Sequence, residues 1–150
     1  MLANIFIGLT IIGITILIHA LGTTVLVNYL QNFYSLSDHK VRLIWILRVV
    51  ILTAFFLMIL HIIEITIWAI IFLVLPGITE IKLFEEAIYF SIVTYTTLGY
   101  GDITLGPAWR LLSGFEAING VLLIGWSTAL FFAILQNIFK LKGQDKKITD

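Results

Sequence analysis

Of the 150 residues, 60% are hydrophobic and 12% charged, where an ordinary soluble domain carries about a quarter charged; the composition is that of a membrane protein. Nine Lys and Arg balance nine Asp and Glu, which removes the basic surface that a nucleic-acid partner requires. The absence of cysteine excludes disulfides, thiolate metal sites and cysteine nucleophiles.

A helix that crosses the bilayer needs roughly 20 mostly apolar residues at ~1.5 Å rise. Three stretches meet that condition: Ile5 to Leu30, Leu43 to Leu75, and Leu111 to Phe139. The first lacks the basic start of a secretory signal and stays apolar past Ala20, so it reads as a retained N-terminal transmembrane helix over 1–30. A loop over 31–42 follows. Basic residues set the orientation, because cytoplasmic flanks collect them. Lys40, Arg42 and Arg48, with Lys140, Lys142, Lys146 and Lys147, make seven of the nine, leaving Lys82 and Arg110 on the other side. The N-terminus is therefore expected outside, the 31–42 loop and the C-terminal tail over 140–150 in the cytoplasm, and the connection from Pro76 to Arg110 outside. That connection also holds Glu80, Glu85, Glu86 and Asp102, an acidic external mouth where cations concentrate.

The outer connection is too apolar for an ordinary loop. After Pro76-Gly77, Leu83 to Thr96 reads as a short helix with Glu85 and Glu86 in its first turn, complementing the helix dipole. At about 14 residues it is too short to span, which fits a re-entrant segment buried among other helices. Its partially negative C-terminal end then lies at membrane depth, where it stabilises a cation.

That helix is followed by Thr96-Thr97-Leu98-Gly99-Tyr100-Gly101-Asp102. To strip water from a cation, a pore replaces its hydration oxygens with carbonyls aimed at one axis, and a chain of L-residues does so by alternating its backbone conformation; Gly99 and Gly101 supply left-handed members without steric cost. The segment resembles the selectivity filter of potassium channels, and the resemblance extends from Ala87-Ile88-Tyr89-Phe90-Ser91 through the filter into the helix that follows Arg110. It implies an all-α membrane protein with three transmembrane helices, and a pore domain over 43–139. Within it lie an outer helix 43–75, a re-entrant pore helix 83–96, a filter 97–102 and an inner helix 110–139. The carbonyls of Thr97, Leu98, Gly99 and Tyr100, with the Thr97 hydroxyl at the inner end, would hold successive potassium ions, Gly101 closing the filter. The side chains of Leu98 and Tyr100 are expected to point back into protein. One chain supplies one loop where a closed ring in this family takes four, so a homotetramer in the lipid bilayer is implied.

The sequence departs from the family pattern in places. Leu98 stands where valine is usual, a change tolerated at a position acting through its carbonyl. Tyr89 and Phe90 replace a tryptophan pair, and Tyr89 is placed to support the filter by donating its hydroxyl to Asp102. Val93 stands where some relatives have glutamate, so no carboxylate pair with Asp102 is expected. Gly120 and Gly125 fall where the inner helix bends in this family; they fit a gate hinge or, equally, close helix packing. Asn119 and Thr128 are expected to face the cavity below the filter.

Glu116 in the third span, and His61 with Glu64 one turn apart in the second, are ionisable groups at membrane depth. They read either as a satisfied internal hydrogen-bond network or as a proton or divalent-cation sensor. Whether His19 of the first span reaches His61 is not fixed by spacing. No helix carries the repeated Arg or Lys of a voltage sensor, no ligand-binding domain is expected after Lys140, and no catalytic constellation or cofactor site is present. The expected function is passive, potassium-selective conduction, with a bacterial plasma membrane as the setting the family implies. A weakly selective monovalent-cation channel and a non-conducting membrane sensor or partner subunit are the alternatives.

Overall fold

The computed structural model describes residues 2–35 and 43–149, the side chains of 33–35 and 141–149 excepted; Lys40 and Arg42, which carry part of the expected orientation, fall outside the described residues. The chain folds into four helices, α1 Leu2–Ser35, α2 Leu43–Val74, α3 Phe84–Tyr95 and α4 Arg110–Thr149, with no strand among the described residues. Leu2–Asn32, Leu43–Val74 and Arg110–Lys140 are each long and apolar enough to cross a membrane. At ~1.5 Å per residue each exceeds the ~30 Å hydrocarbon core, whereas the 12 residues of α3 reach only about 18 Å. The architecture is thus three transmembrane helices with a re-entrant helix between the second and third.

Two helices outlast their apolar stretches. α1 continues past Leu30 to Ser35, and α4 past Phe139 to Thr149, through the segment expected as a tail. The apolar run fixes where the hydrocarbon ends, but a helix stops only at a breaker or a cap, and Gln31-Asn32 and Lys140-Leu141-Lys142 provide neither.

The buried stripe of α1 is Asn4, Gly8, Ile11, Thr15, His19, Thr23, Leu26 and Leu30, recurring every three or four residues, while Leu2, Phe6, Leu9, Leu17, Leu21 and Val25 face outward. In lipid this inverted polarity is the stable one, since tails solvate leucine as well as a protein interior does and helices associate through small and polar residues. A Cβ on Gly8 would come within 2.6 Å of the Phe115 ring, and one on Gly22 within 2.6 Å of Leu60, so α1 lies close against both α4 and α2. The core around α3 is aromatic: Trp68 stacks on Phe72 with centroids 5.9 Å apart, and Phe72 meets Phe90 edge-on at 5.1 Å. A second cluster, with Leu26, Leu57, Leu60 and Ile138, closes the other end of the bundle.

Candidate functional site

The outer connection is held by its own backbone. Gly77 takes φ +92°, where a side chain would be strained and would meet the Trp109 indole. Glu86 Oε2 accepts the N–H of Lys82 at 2.8 Å and of Leu83 at 3.1 Å, fixing the entry into α3. Those backbone donors hold its carboxyl below the ordinary glutamate value. Glu80 and Glu85 are exposed beside it, so the acidic residues of this connection reach solvent.

At the other end of α3 the orphan carbonyls are taken by the segment that follows. Thr96 N–H donates to Ile92 O at 3.0 Å and Thr97 N–H to Thr94 O at 2.9 Å; Val93 O accepts Leu98 N–H at 2.9 Å and Gly99 N–H at 3.2 Å. Beyond this junction the backbone alternates. Thr97, Gly99 and Gly101 have φ of 60°, 57° and 79°, with Leu98 and Tyr100 outside the left-handed region between them. The two glycines occupy the left-handed positions that their residue type suggests. The left-handed backbone of Thr97 is what sequence reasoning missed: for a β-branched side chain the conformation costs about 1–2 kcal/mol, and nothing in the residue's identity signals it.

Leu98 and Tyr100 are 56% and 67% exposed in the single chain, so the protein they are expected to point into is not supplied by their own chain. Among the described residues, no element of the same chain covers them. Behind the segment lies an open cleft of about 430 Å³, lined by Tyr89, Val93, Thr97, Asp102, Ser113 and Ala117 among others. Tyr89 Oη donates to Asp102 Oδ2 at 2.7 Å and holds that carboxyl below its ordinary value. Val93 is buried and supplies only its carbonyl.

α4 runs unbroken through Gly120 and Gly125. A Cβ on Gly120 would stand 1.9 Å from the Tyr95 carbonyl oxygen, so this glycine lets α4 approach the end of α3; at Gly125 a Cβ would meet nothing within 4 Å. Asn119 does not face a cavity. It is fully buried, and its Nδ2 donates to Thr15 Oγ1 of α1 at 2.9 Å. Thr128 is exposed and donates back to Ile124 O at 2.9 Å.

The ionisable groups at membrane depth separate into two sites. His61 and Glu64 join His19, which sequence spacing left open, and Tyr95, which it missed. Glu64 Oε1 lies 2.7 Å from His19 Nδ1; Glu64 Oε2 lies 3.1 Å from His61 Nδ1 and accepts the Tyr95 hydroxyl at 2.5 Å. The His61 Nδ1 to Tyr95 Oη distance is 3.1 Å, and Ser127 Oγ of α4 stands 3.2 Å from His19 Nε2. His19 and Glu64 are completely buried. Glu116 is not part of this group: it too is completely buried, and the polar group beside it is the equally buried Ser91 hydroxyl of α3.

A short helix that caps into an alternating backbone, set between two long apolar helices, is the arrangement of a pore module, and residues 58–137 match the ion-channel family model. The chain belongs to the ion-channel family. The matched part of this ion channel runs from Met58 in α2 through α3 and the Thr97–Asp102 segment to Asn137 in α4, and α1 lies before it. No curated protein and no solved structure matches the chain.

Proposed function

We propose that this ion channel conducts potassium selectively and passively, four chains placing their Thr97–Gly101 segments around one axis. The observation that carries the reading is the left-handed conformation recurring at Thr97, Gly99 and Gly101. A chain alternating in this way turns successive carbonyls to one side, and a stack of carbonyls replaces the hydration shell of a large monovalent cation. The carbonyls of Thr97, Leu98, Gly99 and Tyr100 are the proposed ion sites, behind which the C-terminal end of α3 adds its partial negative charge. The outward side chains of Leu98 and Tyr100 favour an assembly, because a neighbouring chain is what a closed ring offers them. The acidic outer connection enriches cations at one mouth, and the excess of Lys and Arg on the opposite flanks supports an N-terminus outside a cell membrane and a C-terminus in the cytoplasm. The protein so read is a conduit and not an enzyme, and no helix of it responds to voltage through a ladder of arginines.

The test is the reversal potential of the full chain in liposomes under opposed potassium and sodium gradients, with Gly99→Ala alongside. A potential near the potassium equilibrium, lost in Gly99→Ala, is the expected result. An intermediate potential would replace the reading with a weakly selective cation channel. Absence of flux across pH and voltage would favour a membrane sensor or partner subunit that keeps the segment as scaffold.

A further inference from the structure

We infer that His19, His61 and Glu64 form a binding site for a divalent transition-metal ion of the zinc class, clipping α1 to the base of the pore helix. One ligand atom from each of the three residues lies within 4.8 Å of the others. The facing pairs, His19 Nδ1 to Glu64 Oε1 at 2.7 Å and His61 Nδ1 to Glu64 Oε2 at 3.1 Å, are closer than the separation of about 3.3–3.5 Å that tetrahedral bonds of about 2.1 Å impose, so an ion would push each pair apart by a few tenths of an ångström. Small movements of two imidazoles accommodate an ion, and the Tyr95 hydroxyl, 3.1 Å from His61 Nδ1, is a fourth polar group beside the three.

Two features favour a metal over an ordinary network. The first is charge. The ion-pair partners of Glu64 among the described residues are two histidines, and neither Lys nor Arg approaches. An ionised carboxylate fully buried at membrane depth needs a positive counterpart, and a divalent ion bound by two neutral imidazoles provides one. The second is tautomer control. For Nδ1 to bind a metal the proton must sit on Nε2, and the Ser127 hydroxyl oxygen, 3.2 Å from His19 Nε2, is placed to accept it in that tautomer. Such outer partners are what orient ligating histidines. His19 comes from α1, His61 and Glu64 from α2, Tyr95 from α3 and Ser127 from α4, so the ion joins all four helices two residues before Thr97. The site is separate from the carbonyl sites and does not depend on which ion they pass.

The experiment uses the full chain in detergent without a polyhistidine tag, stripped with a chelator and titrated with cobalt(II) and then zinc(II). The expected result is about one equivalent per chain, visible d–d absorption of a low-coordinate cobalt site, and its bleaching by zinc. His19→Gln and Glu64→Gln should abolish the bands. Ser127→Ala should weaken binding by about 10-fold or more, and Glu116→Gln should leave it unchanged. Should the ligand variants fail to fold, nitrogen-15 spectra of the histidines in the unaltered protein decide: zinc must move the Nδ1 signals of His19 and His61. Absence of visible bands, well under one equivalent, or unshifted Nδ1 signals would overturn the site and leave a proton-held network. Binding retained in a folded His19→Gln would do so as well.

Discussion

The Tyr95 hydroxyl, on the last residue of α3, stands 2.5 Å from Glu64 Oε2 on α2, and the Tyr95 carbonyl meets α4 at Gly120. One residue therefore ties the end of the re-entrant helix to both long helices of the family-matched segment, with the left-handed backbone beginning two positions later at Thr97. Tyr95→Phe keeps the ring and removes the donor. A hydrogen bond to a carboxylate contributes about 1.5–3 kcal/mol, and Glu64 Oε2, left with His61 Nδ1 as its partner, remains buried. Thermal unfolding of the purified protein should shift down accordingly, and unchanged unfolding would separate Tyr95 from the stability of this junction.

Gly120 and Gly125 give opposite expectations. At Gly120 a Cβ collides with the Tyr95 backbone oxygen at 1.9 Å, and backbone cannot rotate aside as a side chain does. Gly120→Ala should cost about 3 kcal/mol or more, beyond ordinary overpacking, and reduce the yield of folded protein. Gly125→Ala, with open space around the new methyl, should stabilise the helix by about 0.5–1 kcal/mol. Equal stability of the two variants would contradict the packing assigned to Gly120; a changed open probability in Gly125→Ala, at preserved stability, would make that position the flexible one.

Much of this arrangement is legible in the sequence, because its signals are local. Apolar length marks Leu43–Val74, the acidic first turn marks α3, and the glycine spacing marks the left-handed positions at 99 and 101. What escapes is set by helices meeting. His19 joining Glu64, Asn119 turning to Thr15, and Tyr95 becoming the hub between α2 and α4 each depend on the rotation of one long helix against another. A helix apolar on nearly every face does not reveal that rotation. Thr97 escapes for another reason: its conformation is imposed by the neighbouring turn of backbone against the preference of its own side chain.

The Tyr89 to Asp102 bond predicts an acid response at the outer end of the filter segment. Because the Tyr89 hydroxyl donates to the carboxylate, Asp102 titrates below the ordinary value of 3.8. Its depressed value in the folded protein means that the bond's contribution is present above that ordinary value and fades only as pH falls through the lower one. Tyr89→Phe should move the Asp102 carboxyl titration, followed by carbon-13 NMR, back up toward the ordinary range. An unmoved midpoint would assign the depression to the Asp102 and Ile103 backbone N–H groups instead.

Glu116 is a fully buried carboxyl with no ion-pair partner among the described residues, the Ser91 hydroxyl being the polar group beside it. An amide in its place removes the penalty of an unpaired charge while keeping shape and volume. Glu116→Gln should therefore leave the protein at least as stable as before. Its reversal potential should not change, since Glu116 lies on α4 and not in the Thr97–Gly101 segment. Any coupling to conduction should appear in the open probability or its pH dependence. An unchanged pH profile would remove Glu116 from gating, and a loss of stability would mean that the carboxyl is held by a partner, the Ser91 hydroxyl beside it or a group from another chain.

The bond between Thr15 and Asn119 fixes how α1, which precedes the family-matched segment, sits on α4. Both residues are completely buried, so deleting one partner leaves the other unsatisfied, at about 1–3 kcal/mol. Thr15→Val should therefore destabilise through the stranded Asn119 amide, and Asn119→Leu less so, because Thr15 can turn its hydroxyl to the Ile11 carbonyl 3.1 Å away. Combining the two replaces a polar pair by an apolar one and should recover most of the loss. A double-mutant cycle on thermal unfolding then returns a coupling of about 1 kcal/mol. Strict additivity would mean that the two side chains do not meet in the folded protein, and that α1 is docked by His19 and by its glycines at positions 8 and 22 without them.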